Sequence, residues 1–394
     1  MNYIKKIVLI FVIWRILLFL PLLFAQHTIP WQQNSAQYTL WAYVRPYTPV
    51  SSFLLYPWAN FDGVHYLTIA NYGSYEHGSD GRFFPLYPFL VHAITLAFGK
   101  VAIFGSVVFF TSFLVSNIAF LLALIMVYKL IVLNFSEKIA FQTIFLLLFF
   151  PTSFFFVSIY SESLFLLLTV LIFYFLKKKK FFFATILSMA LLVTRVVGIA
   201  IIPILIWEII YLDRKIFSNF QKNKLNILKN IGLIILTPLA LLGFIWVNQH
   251  YWGDPFFFIH AQEHVVAGRT AGVIFFPQTM FRYIKILFSV PYSHFDWWIS
   301  LLEFTSFIFT AVLLVYAYIK KIPFSYIIFS LLCFLLPTQS GTFSGLPRYT
   351  MILFPIFIAF ALVKNKYIKI IYCIIGAFAM FLLLAFFSKG YFIA

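Results

Sequence analysis

The chain has 394 residues, of which 63% are hydrophobic and only 10% are charged. A soluble domain is about half apolar and about a quarter charged, and a disordered chain has low hydrophobicity, so the composition excludes both classes. Apolar runs such as residues 7–25 and 367–387 have the length that crosses a bilayer as a helix, about 20 residues. The sequence therefore predicts an all-α, polytopic membrane protein with a single domain over residues 1–394.

The net charge of +17 lies mainly in short basic tracts between the apolar runs. Tracts of this kind mark cytoplasmic loops. No basic face is combined with a folded polar domain, so we expect membrane lipids rather than nucleic acid as partners. The tracts are residues 5–6, 177–180, 214–229, 320–321 and 364–369.

The first apolar run follows Lys5 and Lys6 and contains Arg15, which favours a retained first helix over a signal peptide. Two long polar stretches come later, at about 26–83 and about 250–296, and they hold six of the eleven acidic residues. Because the basic tracts lie elsewhere, both stretches are predicted to be outer loops that carry interfacial helices. The apolar runs give about eleven crossings, with residues 84–99 interpreted as re-entrant.

The first outer loop contains Asp62 directly before Gly63. A turn or a helix start at this point presents the carboxylate outward; alternatively, Asp62 only caps a helix over residues 63–70. Further along the loop, Glu76 and His77 are either solvated residues or substrate contacts. The loop therefore offers a carboxylate for chemistry, with capping as the structural alternative.

Two ionisable residues in the middle of the chain lie within or beside apolar segments. Glu162 stands between two serines where a helix re-enters the apolar layer, and it is expected either to cap that helix or to bind a polar ligand. Arg195 has apolar residues on both sides and must find a phosphate, a carboxylate or water. Its planar guanidinium suits a phosphate, but pairing with Glu162 is an alternative that the sequence leaves open.

The second outer loop opens with the turn sequence GDP, and the residues after it predict an amphipathic interfacial helix with His260, Gln262 and His264. Arg348 lies where a later helix enters the membrane, which suits either a phosphate-facing arginine or one that snorkels to the interface. The crossing count places Arg348 on the same outer face as Asp62 and the other ionisable candidates. A cluster of such groups at one face indicates a functional site.

Motifs of several other classes are absent from the sequence. It has no GxxxxGK followed by Ser or Thr, no GxGxxG, no HExxH and no CxxC, and it lacks an Asp-x-Asp pair. These absences argue against ATP-driven transport and against nucleotide-sugar chemistry. The two cysteines lie inside apolar runs without partner spacing, and we expect neither a metal nor a cofactor.

Five segments are informative as an ordered set: NFDGVHYLTIANYGSYEHG, FFPTSFFFVSIYSESLF, TRVVG, GDPFFFIHAQ and SGLPRYTMILFP. In this order they resemble the PIG-V-like mannosyltransferases, which are integral-membrane GT-C glycosyltransferases. The resemblance covers most of the chain, from about residue 58 to about residue 355. Phe61 stands where that family has a tryptophan before its aspartate, and the lean loops look prokaryotic.

The resemblance implies a GT-C-like bundle and a polyprenyl-phosphate-linked sugar, mannose, as the donor. It also implies inverting transfer to a hydroxyl of a lipid- or glycan-linked acceptor on the outer face of the cell membrane, with Asp62 as general base. A lipid monophosphate leaving group needs cations rather than a divalent metal, so we expect metal-independent transfer. Substrate contacts are expected from His65, Tyr66, Glu76, His77, Glu162, Arg195, Gln262 and Arg348.

A transporter or flippase for a lipid-linked sugar is the alternative from another class. Transporters commonly show inverted repeats and broken helices in matching halves, and neither is evident in this sequence. The long, aromatic-rich outer loops favour an interfacial enzyme. The expected location is a prokaryotic plasma membrane, or the endoplasmic reticulum if the source is eukaryotic.

Cysteine labelling tests the predicted topology. Single cysteines at Ser79 and Gln262 should react with a membrane-impermeant thiol reagent added from outside, because both lie in predicted outer loops. A cysteine at Asn223, in a basic tract, should not react from outside. Labelling of position 223 from outside would contradict the shared outer face.

Overall fold

The computed structural model describes residues 2–33, 35–40, 51–75, 81–98, 106–212, 220–264, 269–270 and 272–393. Regular structure in these ranges is helical throughout, and they contain no β-strand. The prediction of an all-α protein is therefore confirmed.

The first half of the chain begins with two consecutive apolar helices and has a short polar helix, α3, within the first long polar stretch. In order, its helices are α1 (Tyr3–Leu17), α2 (Phe19–Thr28), α3 (Asp62–Tyr72), α4 (Leu86–Ala97), α5 (Ser106–Ile131), α6 (Glu137–Leu148), α7 (Glu162–Lys177), α8 (Phe181–Leu192) and α9 (Ile201–Leu212).

The second half combines long apolar helices with three short ones, α12, α16 and α17. Its helices are α10 (Phe220–Leu236), α11 (Leu239–Trp252), α12 (Phe257–His260), α13 (Phe276–Ser289), α14 (Phe295–Ile319), α15 (Phe324–Thr338), α16 (Leu346–Met351), α17 (Phe354–Ala361) and α18 (Lys366–Ser388).

Several helices are apolar enough to lie in a membrane, so the chain is a multi-pass membrane protein. Shorter apolar helices accompany the long ones; α4, with 12 residues, is shorter than the about 20 residues of a full span. The total of about eleven crossings stays a prediction. Among the described residues, five helical stretches are long enough to cross: Tyr3–Thr28, Val107–Ile131, Leu228–Trp252, Phe295–Ile319 and Lys366–Ser388.

The connection between α6 and α7 is buried. Pro151 interrupts helical structure there, and the three phenylalanines at 154–156 have no exposed surface. Non-helical backbone at membrane depth is tolerated where protein covers it. Here the Ile159 amide donates to the Trp58 carbonyl at 2.8 Å. The connection thereby fixes Glu162 at the start of α7, which packs between α5 and α8.

A second break in helical structure positions Arg195. Helix α8 ends at Leu192, Arg195 is extended with φ −157° and ψ 151°, and a 3-10 turn, Val196–Ala200, leads into α9. A Cβ atom at Gly198 would lie 2.5 Å from the Leu191 carbonyl oxygen, so this turn packs on the end of α8 only because residue 198 is glycine. Helical structure is therefore interrupted at TRVVG.

The segment after the GDP turn is helical, as predicted, but short: α12 runs directly into a 3-10 helix, Ala261–His264. The longer amphipathic helix of this polar stretch is α13. In α13, Tyr283 is buried, whereas Phe281 and Phe288 are 69% and 89% exposed. Exposed aromatic side chains on such a helix suit the headgroup level of a membrane.

Candidate active site

A cavity of about 640 Å³ lies where the start of α3, the turn before α9 and the segment before α16 meet. Charged, amide and aromatic side chains form its wall. Six of the residues that the sequence predicts for catalysis or substrate contact line this cavity: Asp62, His65, Tyr66, Arg195, Gln262 and Arg348.

Glu162 lies beside the cavity without any exposed surface. Its Oε1 accepts hydrogen bonds from Arg195 Nη1 at 2.7 Å and from Arg348 Nε at 2.7 Å, and Arg348 Nη2 lies 2.5 Å away. The carboxylate also occupies the first turn of α7, where the helix dipole favours a negative charge. One buried carboxylate therefore holds two buried guanidinium groups.

Arg348 connects Glu162 to Asp62. Its Nη1 donates to Asp62 Oδ2 at 2.7 Å, while the rest of the guanidinium contacts Glu162. The guanidinium carbon lies 5.1 Å from the ring centre of Phe155 and 4.7 Å from that of Tyr160. The four charged groups thus form a chain in the order Asp62, Arg348, Glu162 and Arg195, with two positive and two negative charges.

Hydroxyl groups surround this charge network. Tyr66 Oη and Ser161 Oγ are 2.9 Å apart, and Arg195 Nη1 donates to Ser161 Oγ at 3.3 Å. Tyr160 Oη donates to the Asn60 carbonyl at 2.7 Å, two residues before Asp62. These bonds tie α3, α7 and the turn before α9 together around the charges.

Asp62 is the exposed end of the network, with 29% of its side chain accessible. Burial alone disfavours its ionised form, but the adjacent Arg348 guanidinium outweighs burial and lowers the pKa of the Asp62 carboxyl below its ordinary value. Asp62 is therefore a carboxylate at neutral pH, and it can accept a hydrogen bond from a hydroxyl in the cavity. It is also the first residue of α3, which has no side-chain cap, so the capping alternative is wrong.

The residue before Asp62 has an unusual backbone conformation. Phe61 has a φ of 57°, in the left-handed region that bulky side chains rarely adopt. Its ring stacks on Tyr38 with ring centres 6.0 Å apart, and its amide donates to the Tyr38 carbonyl at 2.6 Å. Such strain persists where the surroundings enforce it, and here it fixes the direction in which α3 starts.

The structure settles the position of most predicted residues and adds two. Arg195 pairs with Glu162 and also lines the cavity, so both of its sequence alternatives remain compatible with its position. Glu76 and His77 lie outside the described residues. Arg82 and Arg269 line the cavity but were missed, because an arginine in a polar outer loop carries no distinguishing sequence signal.

The site is a cavity lined by charged and polar side chains in a helical membrane protein. Among the described residues, no group of three or more His, Cys, Asp or Glu side chains lies close enough to hold a metal ion. Residues 4–326 match the family described as Mannosyltransferase (PIG-V). The chain therefore belongs to the PIG-V mannosyltransferase family, and Arg348 lies beyond the matched residues.

No curated protein shows significant sequence similarity to the chain. Among solved structures, it is similar to the oligosaccharyltransferase of Archaeoglobus fulgidus in the apo form, with a TM-score of 0.45 and 14% sequence identity. The similarity covers 98% of this chain and 56% of that one, so the chain spans little more than half the length of that enzyme.

The charge network predicts a difference in stability between two conservative variants. Glu162→Gln leaves two buried guanidinium groups without their shared carboxylate, which should cost about 3–5 kcal/mol and clearly lower the thermal unfolding temperature of detergent-purified protein. Asp62→Asn removes a charge that is partly solvated, so the loss should be smaller. Equal unfolding temperatures for the two variants would contradict the central position of Glu162.

Proposed function

We propose that the protein is a glycosyltransferase that moves mannose from a polyprenyl-phosphate-linked donor to a hydroxyl of a lipid- or glycan-linked acceptor. Transfer is inverting and metal-independent, and it takes place on the outer face of a prokaryotic plasma membrane. The observation that carries the proposal is an ionised carboxylate, Asp62, on the wall of an arginine-lined cavity in a member of the PIG-V family.

Asp62 is the proposed general base. The acceptor oxygen attacks the anomeric carbon from the face opposite the phosphate, the carbon–oxygen bond to the phosphate breaks, and the acceptor proton passes to Asp62. A positioned carboxylate contributes about 10²- to 10⁴-fold to such a step. While Arg348 is bound to Asp62 at 2.7 Å, the carboxylate is a weak base. It becomes more basic as negative charge develops on the departing phosphate, which then competes with Asp62 for the fixed guanidinium of Arg348.

The arginines of the network are the proposed stabilisers of the leaving group. Fixed positive groups at the place where charge develops lower the barrier without reorganisation. Arg195 and Arg348 both line the cavity next to Asp62, so they can face a phosphate as it separates from the sugar. Their carboxylate partner Glu162 lies behind them, which keeps the guanidinium groups in place during turnover.

The uncharged polar lining supports a sugar as substrate. Side-chain amides offer both donors and acceptors, which suits a molecule with many hydroxyl groups. His65, stacked on Phe83, and Tyr66 lie on the same wall as Asp62 and are proposed sugar contacts. The glutamines that line the cavity are Gln32, Gln33, Gln37 and Gln262.

The Asp62→Asn variant tests the assignment of the base. It keeps the size of the side chain but cannot take up the acceptor proton, so mannose transfer by purified protein should fall by about 10²-fold or more. Binding of the donor should survive. Asp296→Asn is the matched control, since Asp296 is exposed and away from the cavity, and it should retain normal turnover.

Near-normal turnover of a well-folded Asp62→Asn protein would show that another group is the base. The transfer assay uses mannosyl-phosphoryl-polyprenol with the labelled sugar, and a parallel liposome assay measures scrambling of the same lipid. Scrambling without transfer would favour the flippase alternative.

Chelation tests the proposed metal independence. Transfer should persist in excess EDTA, because guanidinium groups rather than a metal ion neutralise the leaving phosphate. If activity disappears in EDTA and returns with Mn²⁺ or Mg²⁺, the acidic residues of the first outer loop hold a metal and the proposed role of the arginines is wrong.

A further inference from the structure

The arginines that line the cavity differ in how their charges are used. Arg195 and Arg348 share the carboxylates of Glu162 and Asp62, so these four groups have no net charge. A phosphate that binds Arg348 in the resting site would therefore compete with a carboxylate already 2.7 Å away. Attraction of an anionic substrate must come mainly from elsewhere in the cavity.

Arg269 is a cavity cation whose hydrogen-bond partners are neutral. Its Nη1 donates to Gln262 Oε1 at 2.8 Å and its Nη2 to the Ser344 carbonyl at 2.9 Å. Its Nε is buried and has no hydrogen-bond partner among the described residues. Within the same ranges no carboxylate forms an ion pair with it, and the Glu303 carboxylate, whose field it feels, accepts instead from Tyr283.

The position of Arg269 adds to this argument. It is bonded to the carbonyl of Ser344, in the turn that continues into α16 and Arg348. Both arginines line the same cavity. An anion bound by Arg269 therefore lies against the part of the cavity wall that Ser344 and the start of α16 also form.

We infer that Arg269, oriented by Gln262, binds the phosphate of the lipid-linked donor in the ground state. This inference rests on the proposed function. The donor is a phosphodiester with one negative charge, which one arginine that has no ion-paired carboxylate in the described part of the chain can balance. Bond cleavage produces a phosphate monoester with close to two charges, and the second charge develops beside Arg348. Arg269 therefore provides affinity for the donor in the ground state, and the charge network stabilises the transition state.

A pair of soluble probes separates the phosphate contribution from that of the lipid. Calorimetric titration of the protein in detergent compares methyl citronellyl phosphate, a phosphodiester with the single charge of the donor, with citronellol, which has the same tail and no phosphate. Arg269→Gln should reduce the preference for the phosphate by about ten- to a hundredfold, the range expected for a charge-assisted contact. Arg269→Lys, which keeps the charge, should retain most of it.

Arg282→Gln is the matched control. Arg282 belongs to the same outer loop and donates to the Gly341 carbonyl of the same turn at 3.2 Å, but it does not line the cavity. Its loss should leave the preference unchanged, which separates phosphate binding from support of the turn. An equal loss in Arg282→Gln and Arg269→Gln would overturn the inference.

Gln262→Glu keeps the inference testable if Arg269→Gln does not fold. The new carboxylate would replace the amide oxygen that lies 2.8 Å from Arg269 and would neutralise its charge without removing the side chain. The phosphate preference should again fall. Retention of the preference in a folded Arg269→Gln or Gln262→Glu protein would overturn the assignment, with the proposed function intact. Wild-type protein without any preference for the phosphate would instead contradict the proposed lipid-phosphate donor, and the inference with it.

Discussion

The burial of Glu162 between two guanidinium groups is the constraint on which the rest of the site depends. None of these three side chains exposes more than a tenth of its surface. Burying any one of these charges alone would cost several kcal/mol, so they are tolerated only together. The start of α7, the turn before α9 and helix α16 must therefore adopt their places as one unit. The buried connection before α7 and the glycine at 198 are the backbone features that permit this arrangement.

The network has a buried end, Glu162 with Arg195, and an exposed end, Asp62. Glu162 provides a fixed negative charge that keeps Arg348 in place, while Asp62, at the other end of Arg348, reaches the cavity. Such preorganisation is the main means by which enzymes stabilise developing charge. In the proposed reaction, the charge that develops on the phosphate competes for Arg348, so the basicity of Asp62 rises only when substrate is present.

The membrane class, the helical fold and the gathering of Asp62, Arg195 and Arg348 at one cavity could be predicted from the sequence. The reason is physical, since ionisable side chains are costly in apolar segments and must find one another. The double contact of Arg348 could not be predicted, because its partners Glu162 and Asp62 lie 186 and 286 positions earlier in the chain. Arg269 was missed because an arginine in a polar loop has no desolvation cost, so nothing in the sequence requires it to have a partner. The helix predicted after the GDP turn is present, but its shortness could not be predicted, because apolar periodicity over so few residues does not fix where a helix ends.

The spacing of the charged partners along the chain has a consequence for how the protein is made. Arg348 is synthesised 286 residues after Asp62, which at about 5–20 residues per second is a delay of roughly 15–60 s. Arg195 follows Glu162 closely and can neutralise it soon after insertion. The nascent chain therefore passes through a stage in which most of the bundle is in the membrane while Asp62 still lacks its cation. Completion of the charge network is a late event in biogenesis, and a chain that stops before Arg348 leaves Asp62 without its arginine.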